Sequence, residues 1–417
     1  MAAAVMSPVL RPFASAMVLA AAGMIALAFA AGISTAAFAA PNSISGQKKG
    51  DTFQTAAPNA ILIDAESNSV LFEKSADELV FPASLAKLMT AEVVFNAVKR
   101  GDLKLDDMFT ISENAWRHGG APSHTSSMFA PIHSRVRVDD LLHGVIIQSG
   151  NDASMALAEG ISGNEAAFAE KMTKRARELG LTKSTFGNST GLPDPNTEVT
   201  VRELAKLARH IIRTYPDFYR LYGEHEFTWN KIRQYNRNPL LGMGIGADGL
   251  KTGYTKEAGY NLVGSAVQKG LRLIVVVTGL KTAKERAEEA RKLLEWGFRN
   301  FEARLLFPEG QTIGEAKVYG GAKGRVALVG NGAIRLMIPR GSNDRLIARV
   351  VYTGPVPAPV KKGQPIGRLK VWRNDNVALE APLHAAESVG PGNISQRAFD
   401  AVTELVISVF RAGAERL

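Results

Sequence analysis

The chain has 417 residues, is 46% hydrophobic and 22% charged, and contains no cysteine. That length and composition supply apolar side chains for two hydrophobic cores and exclude a disordered chain, while the missing thiols exclude disulfides, cysteine nucleophiles and thiolate metal sites. The net charge of +10 comes without any Lys/Arg-rich block, so it points to anionic envelope polymers and lipid headgroups, not to nucleic acid.

The first forty residues carry a single charge, Arg11, ahead of an uncharged run from Ala16 to Ala31, and close on Ala37-Phe38-Ala39. This reads as a secretory signal peptide over 1–39, cut near Ala39 or Ala40, and predicts export; the competing reading is an uncleaved transmembrane anchor, since the apolar run is nearly long enough to span. A polar linker is expected over 40–54. Ala60 to Asp64 and Val70 to Phe72 then read as short strands around the turn Ser67-Asn68-Ser69. After Pro82 a pattern that is apolar on nearly every side, Ala83 to Val98, predicts a buried central helix.

Several helical segments broken by Gly and Pro follow between about 100 and 220, including the loop Gly191-Leu192-Pro193-Asp194-Pro195. Strand character returns at Leu250 to Thr255. Tyr260 to Val267 and Leu271 to Thr278 read as a hairpin about Gln268-Lys269-Gly270, and Lys284 to Phe298 as a closing helix. Past Phe301, short runs at Arg325 to Val329, Ile334 to Ile338, Leu346 to Tyr352 and Ile366 to Trp372 predict a small all-β domain over 301–389.

Gly390-Pro391-Gly392 breaks the chain, and Asn393 can cap a last helix. At 100° per residue Ile394, Ala398, Phe399, Val402, Leu405, Val406, Val409 and Phe410 share one side. Such a face suits an amphipathic membrane anchor over 390–417, or a helix packed on the β-domain or in a dimer.

The chemistry begins at Ser84-Leu85-Ala86-Lys87, where helical spacing brings the Lys87 amine to the Ser84 hydroxyl and the helix start favours developing negative charge. A serine hydroxyl is a poor nucleophile near neutral pH and needs such a base. Lys87 must be neutral part of the time, which burial and a second cation such as Lys251 would encourage. By itself the pattern also fits a helix-capping serine, and it recurs at Ser45-Gly46-Gln47-Lys48. Two further elements supply context: Ser149-Gly150-Asn151 after an apolar approach, and Asp248-Gly249-Leu250-Lys251-Thr252-Gly253-Tyr254 opening a strand. A second Ser-x-Asn, Ser162-Gly163-Asn164, reads as a helix stop.

Ser-x-x-Lys, Ser-x-Asn and Lys-Thr-Gly in that order resemble the three motifs of the penicillin-recognising serine acyltransferases. The strings Phe81 to Thr90 and Asp248 to Gly253 look like the low-molecular-mass D-alanyl-D-alanine carboxypeptidases. The likeness spans roughly 55–300 closely, and the β-rich part by layout. It implies an α/β (α+β) fold: a transpeptidase-like domain of an antiparallel sheet flanked by helices over 55–300, then the small β-domain and the amphipathic helix.

It also implies roles. Ser84 would attack the peptide between two D-alanines of a peptidoglycan stem, with Lys87 taking its proton. Ser149 would relay a proton to the leaving nitrogen, and Asn151 would fix the Lys87 amine and a substrate amide. Lys251 and Thr252 would hold the terminal carboxylate, helped by Arg237 and Arg286. Gly253 would let the substrate backbone approach the strand, and the N–H groups of Ser84 and Tyr254 would form the oxyanion hole. Members of the branch often carry His where this chain has Tyr254. The implied partners are peptidoglycan stem peptides, β-lactam antibiotics as covalent inhibitors and the outer face of the cytoplasmic membrane; no cofactor and no metal are implied. A D,D-endopeptidase shares the acylation chemistry, and a wall-binding scaffold shares the fold.

Other hydrolase patterns fit poorly. Gly187-Asn188-Ser189-Thr190-Gly191 matches G-x-S-x-G but runs into a Pro-rich loop instead of a helix. The seven histidines include no H-E-x-x-H pair. A class A β-lactamase needs a Leu-Asn dipeptide that the chain lacks.

Overall fold

Five runs rich in Val, Ile and Leu form one antiparallel sheet: β1 (Asn59–Asp64), β2 (Val70–Lys74), β3 (Ala247–Thr255), β4 (Gly259–Gln268) and β5 (Leu271–Leu280), in the order β2-β1-β5-β4-β3. The computed structural model describes residues 53–374, 376–395 and 397, so the expected signal peptide and nearly all of the expected last helix lie outside the described residues. The β4–β5 turn falls at Lys269 and Gly270, both with positive φ, as a tight two-residue hairpin requires. Strand period divides the sheet's side chains between two cores. Ile61, Ile63, Val263, Ile274 and Val276 face the helical layer, while Leu62, Leu262, Val275 and Val277 pack with Leu293 and Leu294.

The expected helix from Ala83 proves to be two pieces. A 3-10 turn, Ala83–Ala86, runs into α1 (Lys87–Arg100), which is buried at every position from Lys87 to Phe95. The turn is tight because Ala83 holds a left-handed φ of 51°. Gly191 permits the close approach, since a Cβ there would lie 1.9 Å from the Ala83 carbonyl oxygen. Around α1 stand α2 (Asn151–Ser162), α3 (Glu165–Glu178) and α4 (Val201–Thr214). Gly163 stops α2 at φ 81°, and Asn164 at once caps α3 by accepting from Ala167 N at 2.8 Å. The closing helix α5 (Ala283–Asn300) starts at the cap Thr282 and covers the outer sheet face.

One buried ionic cluster fixes α1 against its neighbours. Glu92 on α1 is fully buried and accepts from Arg175 Nη2 at 2.9 Å and Tyr215 Oη at 3.1 Å, with His210 Nε2 at 3.2 Å. Burial alone would raise its carboxyl pKa, but His210 and Arg175 outweigh it and hold the group below the usual range.

Beyond α5 the chain turns directly into β6 (Phe301–Phe307). Then come β7 (Gly314–Tyr319), β8 (Arg325–Gly330), β9 (Ile334–Pro339), β10 (Leu346–Tyr352), β11 (Pro365–Arg373) and β12 (Asn376–Ala385). β6 pairs with β9, and β10-β11-β12-β8-β7 follow one another in a larger sheet. Their core includes Val318, Leu328, Leu336, Leu369, Val371 and Leu383. The four expected runs become β8, β9, β10 and β11. β6, β7 and β12 were not anticipated: β6 carries half-exposed Leu305 and the charged residues Glu302 and Arg304, and β12 is interrupted by Pro382.

Glu92→Ala should lower the free energy of unfolding by about 3 kcal/mol, because it strips the buried partner from Arg175 and His210. Urea denaturation followed by circular dichroism measures this directly; a change under about 0.5 kcal/mol would mean the cluster does not anchor α1.

Candidate active site

The Lys87 amine is the centre of the site. Its Nζ is 3.1 Å from Ser84 Oγ, 2.7 Å from Asn151 Oδ1 and 2.6 Å from the Thr190 carbonyl oxygen. Sequence spacing explains the first contact, since residues 84 and 87 lie one turn apart. The second comes from the start of α2, and the third from the loop that supplies Gly191. Burial, and then the Arg237 guanidinium, push the Lys87 pKa down to about 7, opposed by Asp152 and Glu165. A neutral amine has two N–H donors and one lone pair. Asn151 and Thr190 offer only acceptors to it, so the lone pair is left for the Ser84 hydroxyl proton. That is the arrangement of a general base.

Arg237 adds to Lys251, the second cation expected from the sequence, in disfavouring the charged Lys87 amine. The repulsion between the two lysines is mutual. Buried, with its Nζ donating to Thr252 O at 3.2 Å, Lys251 is held well below its ordinary pKa by burial, then Lys87, Arg237 and Arg286.

Ser149 sits at the exit of a wide π turn, Gly144–Gln148, in a left-handed conformation with φ 64°. Its Oγ is buried without a hydrogen-bond partner. The segment 125–130 is clipped over the start of α2 by Asp152, whose carboxylate accepts from Ser127 Oγ at 2.7 Å, Met128 N at 2.9 Å and Ala130 N at 3.2 Å. Asn151 joins this clip, its Nδ2 donating to Thr125 Oγ1 at 2.9 Å and its N to Ser126 O at 2.7 Å.

The edge strand β3 closes the other side. A Cβ at Gly253 would lie 2.8 Å from Pro82 O and 3.1 Å from Ser84 N. The glycine is thus required by the turn that carries Ser84, a reason internal to the fold beside the expected substrate approach. Fully buried Asn261, which pairs with Gly253 in register, ties turn to sheet: its Nδ2 lies 3.3 Å from both Phe81 O and Pro82 O, and its Oδ1 accepts from Gly279 N at 2.9 Å.

These elements enclose a cleft of about 290 Å³ lined by Ser84, Ser126, Ser149, Arg237, Thr252, Gly253, Tyr254, Tyr260 and Arg286. Arg237 Nη1 donates to Ser126 Oγ at 2.8 Å, while Arg286 Nε is buried without a partner. Two guanidiniums and a hydroxyl beside a serine with a base can bind an anion and acylate the serine next to it.

All ten residues singled out in the sequence fall in or under this cleft. Asp248 lies apart from it as a structural residue, with Arg272 Nη2 at 2.7 Å and Tyr219 Oη at 2.6 Å. Ser189 of the G-x-S-x-G string is fully buried and donates to Glu165 Oε1 at 2.6 Å, which removes it as a nucleophile. The linker copy of Ser-x-x-Lys lies outside the described residues. Sequence reasoning missed Thr190, Asp152, Ser126, Asn261 and Tyr260. Thr190 acts through its carbonyl and leaves no signal in residue type, whereas Asp152 adjoins the Ser-Gly-Asn motif. Among the described residues no cluster of three His, Cys, Asp or Glu could hold a metal ion.

Comparison with known proteins agrees with this geometry. Residues 45–282 match the family model for D-alanyl-D-alanine carboxypeptidase (Peptidase S11), and 301–391 match that for the penicillin-binding protein 5 C-terminal domain. The chain is 41% identical to the D-alanyl-D-alanine carboxypeptidase DacA of Haemophilus influenzae, over 86% of this chain and 91% of that protein. It is 43% identical to DacC of Escherichia coli, also a D-alanyl-D-alanine carboxypeptidase, over 82% and 86% respectively. The structure of penicillin-binding protein 5 from Haemophilus influenzae superposes with a TM-score of 0.72 at 41% identity, covering 82% of this chain and 99% of that one.

The Lys87 environment predicts a pH profile. The neutral, proton-accepting amine gains population as pH rises through about 7. Acylation of the site serine by an activated ester should therefore climb about tenfold between roughly pH 6 and pH 8 and then level. A flat stopped-flow profile across that interval would rule out Lys87 as the titrating base.

Proposed function

We propose, from the premise that this chain belongs to the D-alanyl-D-alanine carboxypeptidase family and shares its hydrolase activity, that Ser84 carries the reaction with Lys87 as its base. The observation that carries the assignment is the buried Lys87 amine, placed between two obligate acceptors and 3.1 Å from Ser84 Oγ.

Neutral Lys87 takes the Ser84 proton as Oγ attacks the carbonyl of the penultimate D-alanine. The N–H groups of Ser84 and Tyr254 receive the oxyanion, a role supported by the close approach of Gly253 to Ser84 N. Ser149, whose hydroxyl has no other partner, gives its proton to the leaving nitrogen and recovers one from protonated Lys87, so that D-alanine departs and the Lys87 amine is neutral again. Water then cleaves the Ser84 ester and restores the hydroxyl. Asn151 holds the Lys87 amine. Thr252, Lys251, Arg237 and Arg286 hold the terminal carboxylate, for which the absence of a fixed acid at Arg286 Nε is the supporting observation. β-Lactams acylate the same serine, as the penicillin-binding relatives suggest.

The domain layout we infer is signal peptide 1–39, linker 40–54, catalytic domain 55–300, β-domain 301–389 and amphipathic helix 390–417. Export past the cytoplasmic membrane and attachment to its outer face through the last helix follow from that layout. Among the described residues no helix is long and apolar enough to cross a membrane.

Product analysis tests the reaction. A stem pentapeptide should yield free D-alanine while a cross-linked dimer stays intact, and Ser84→Ala should lose turnover and labelling by fluorescent penicillin by more than a thousandfold. Cleavage of the cross-link alone would make the enzyme an endopeptidase; equal labelling of both proteins would displace Ser84 as nucleophile. Separately, removing residues 390–417 should move the protein from the membrane fraction to the soluble one, with pentapeptide turnover kept; unchanged partitioning would refute the anchor.

A further inference from the structure

Arg286 has an unusual setting for a guanidinium in an enzyme cleft. It rises from the first turn of α5, its Nε is buried without a hydrogen-bond partner, and its carbon lies 5.7 Å from the centre of the Tyr260 ring. Burial lowers its pKa, and among the described residues no carboxylate forms an ion pair with it. On the hairpin opposite, Tyr254 is the cross-strand partner of Tyr260, and the two rings stack with centroids 4.2 Å apart at 29°. Tyr254 is 53% exposed, so it forms the outer layer of a three-part stack whose members all line the cleft.

A ring and a carboxylate hold a cation in different ways. A carboxylate would neutralise Arg286 and compete with any incoming anion, whereas an aromatic face steadies the guanidinium and leaves its N–H edge and its charge free. We propose that Tyr260, backed by Tyr254, is the positioning residue for Arg286, holding the guanidinium ready for the terminal carboxylate of the substrate. This rests on the assignment of Arg286 to that carboxylate made above.

The test uses matched peptides ending in D-Ala-D-Ala as the free carboxylate or as the carboxamide, with KM and kcat measured for each on the full chain. Wild type should prefer the carboxylate. Tyr260→Leu should shrink that preference about fivefold through a higher KM for the carboxylate peptide, while kcat and the carboxamide reaction change less than twofold. Tyr260→Phe, which keeps the ring, should behave as wild type. If Tyr260→Leu does not fold, Tyr260→Met takes its place with the same expectation. A wild type that prefers the carboxylate and a ring-less variant that keeps the full preference would overturn the proposal alone. So would a Phe variant as impaired as the Leu variant, since the hydroxyl and not the ring would then matter. A wild type indifferent to the carboxylate would remove the underlying assignment and the proposal with it.

Discussion

A primary amine deprived of water is the constraint on which the rest of this structure depends. Lys87 is buried at the head of a helix that is itself buried over nine residues, and a charged amine in that position is strongly disfavoured. Its three oxygen neighbours come from three separate parts of the chain: the 3-10 turn, the start of α2 and the loop that carries Gly191. Each needs a local conformation that an ordinary turn would not give. Ala83 and Ser149 both take left-handed φ, and Gly191 is required for contact with Ala83. The surrounding fold overdetermines these positions through Asp152, Asn261 and the Glu92 cluster, none of which lines the cleft.

The electrostatics of the cleft follow from the same crowding. Lys87, Lys251, Arg237 and Arg286 share one buried region, and each of the two lysines loses basicity, first through burial and then through the neighbouring cations. Repulsion of this kind would be relieved by an anion, so the proposed carboxylate site and the lowered basicity of Lys87 draw on one cluster of cations. The acids that partly offset it, Asp152 and Glu165, are engaged with Ser127 and Ser189 and stay out of the cleft.

Most of the candidate site was legible in the sequence because its proposed chemistry resides in side chains at fixed spacing. Ser84 and Lys87 lie one turn apart, Ser149 and Asn151 flank a single glycine, and Lys251 to Gly253 open a strand. What escaped was carried by the backbone or by long-range pairing. Thr190 contributes a carbonyl, Asn261 becomes relevant only through its register with Gly253, and Tyr260 only through its partners across the hairpin and on α5. The sheet strands alternate cleanly between two cores, and so were readable. β6 and β12 were not, since the small domain buries one face and its strands carry charge and proline on the other.

The passage from α5 to β6 occurs between Asn300 and Phe301 with no intervening residue. Phe301 is fully buried, its ring 5.3 Å from Trp296 on the helix, and Arg335 on β9 bonds Glu66 beyond β1 at 3.1 Å. A joint of this kind lacks the slack of a tether. Whatever grips the β-domain therefore also aims the mouth of the cleft, and reach would have to come from outside the two packed domains.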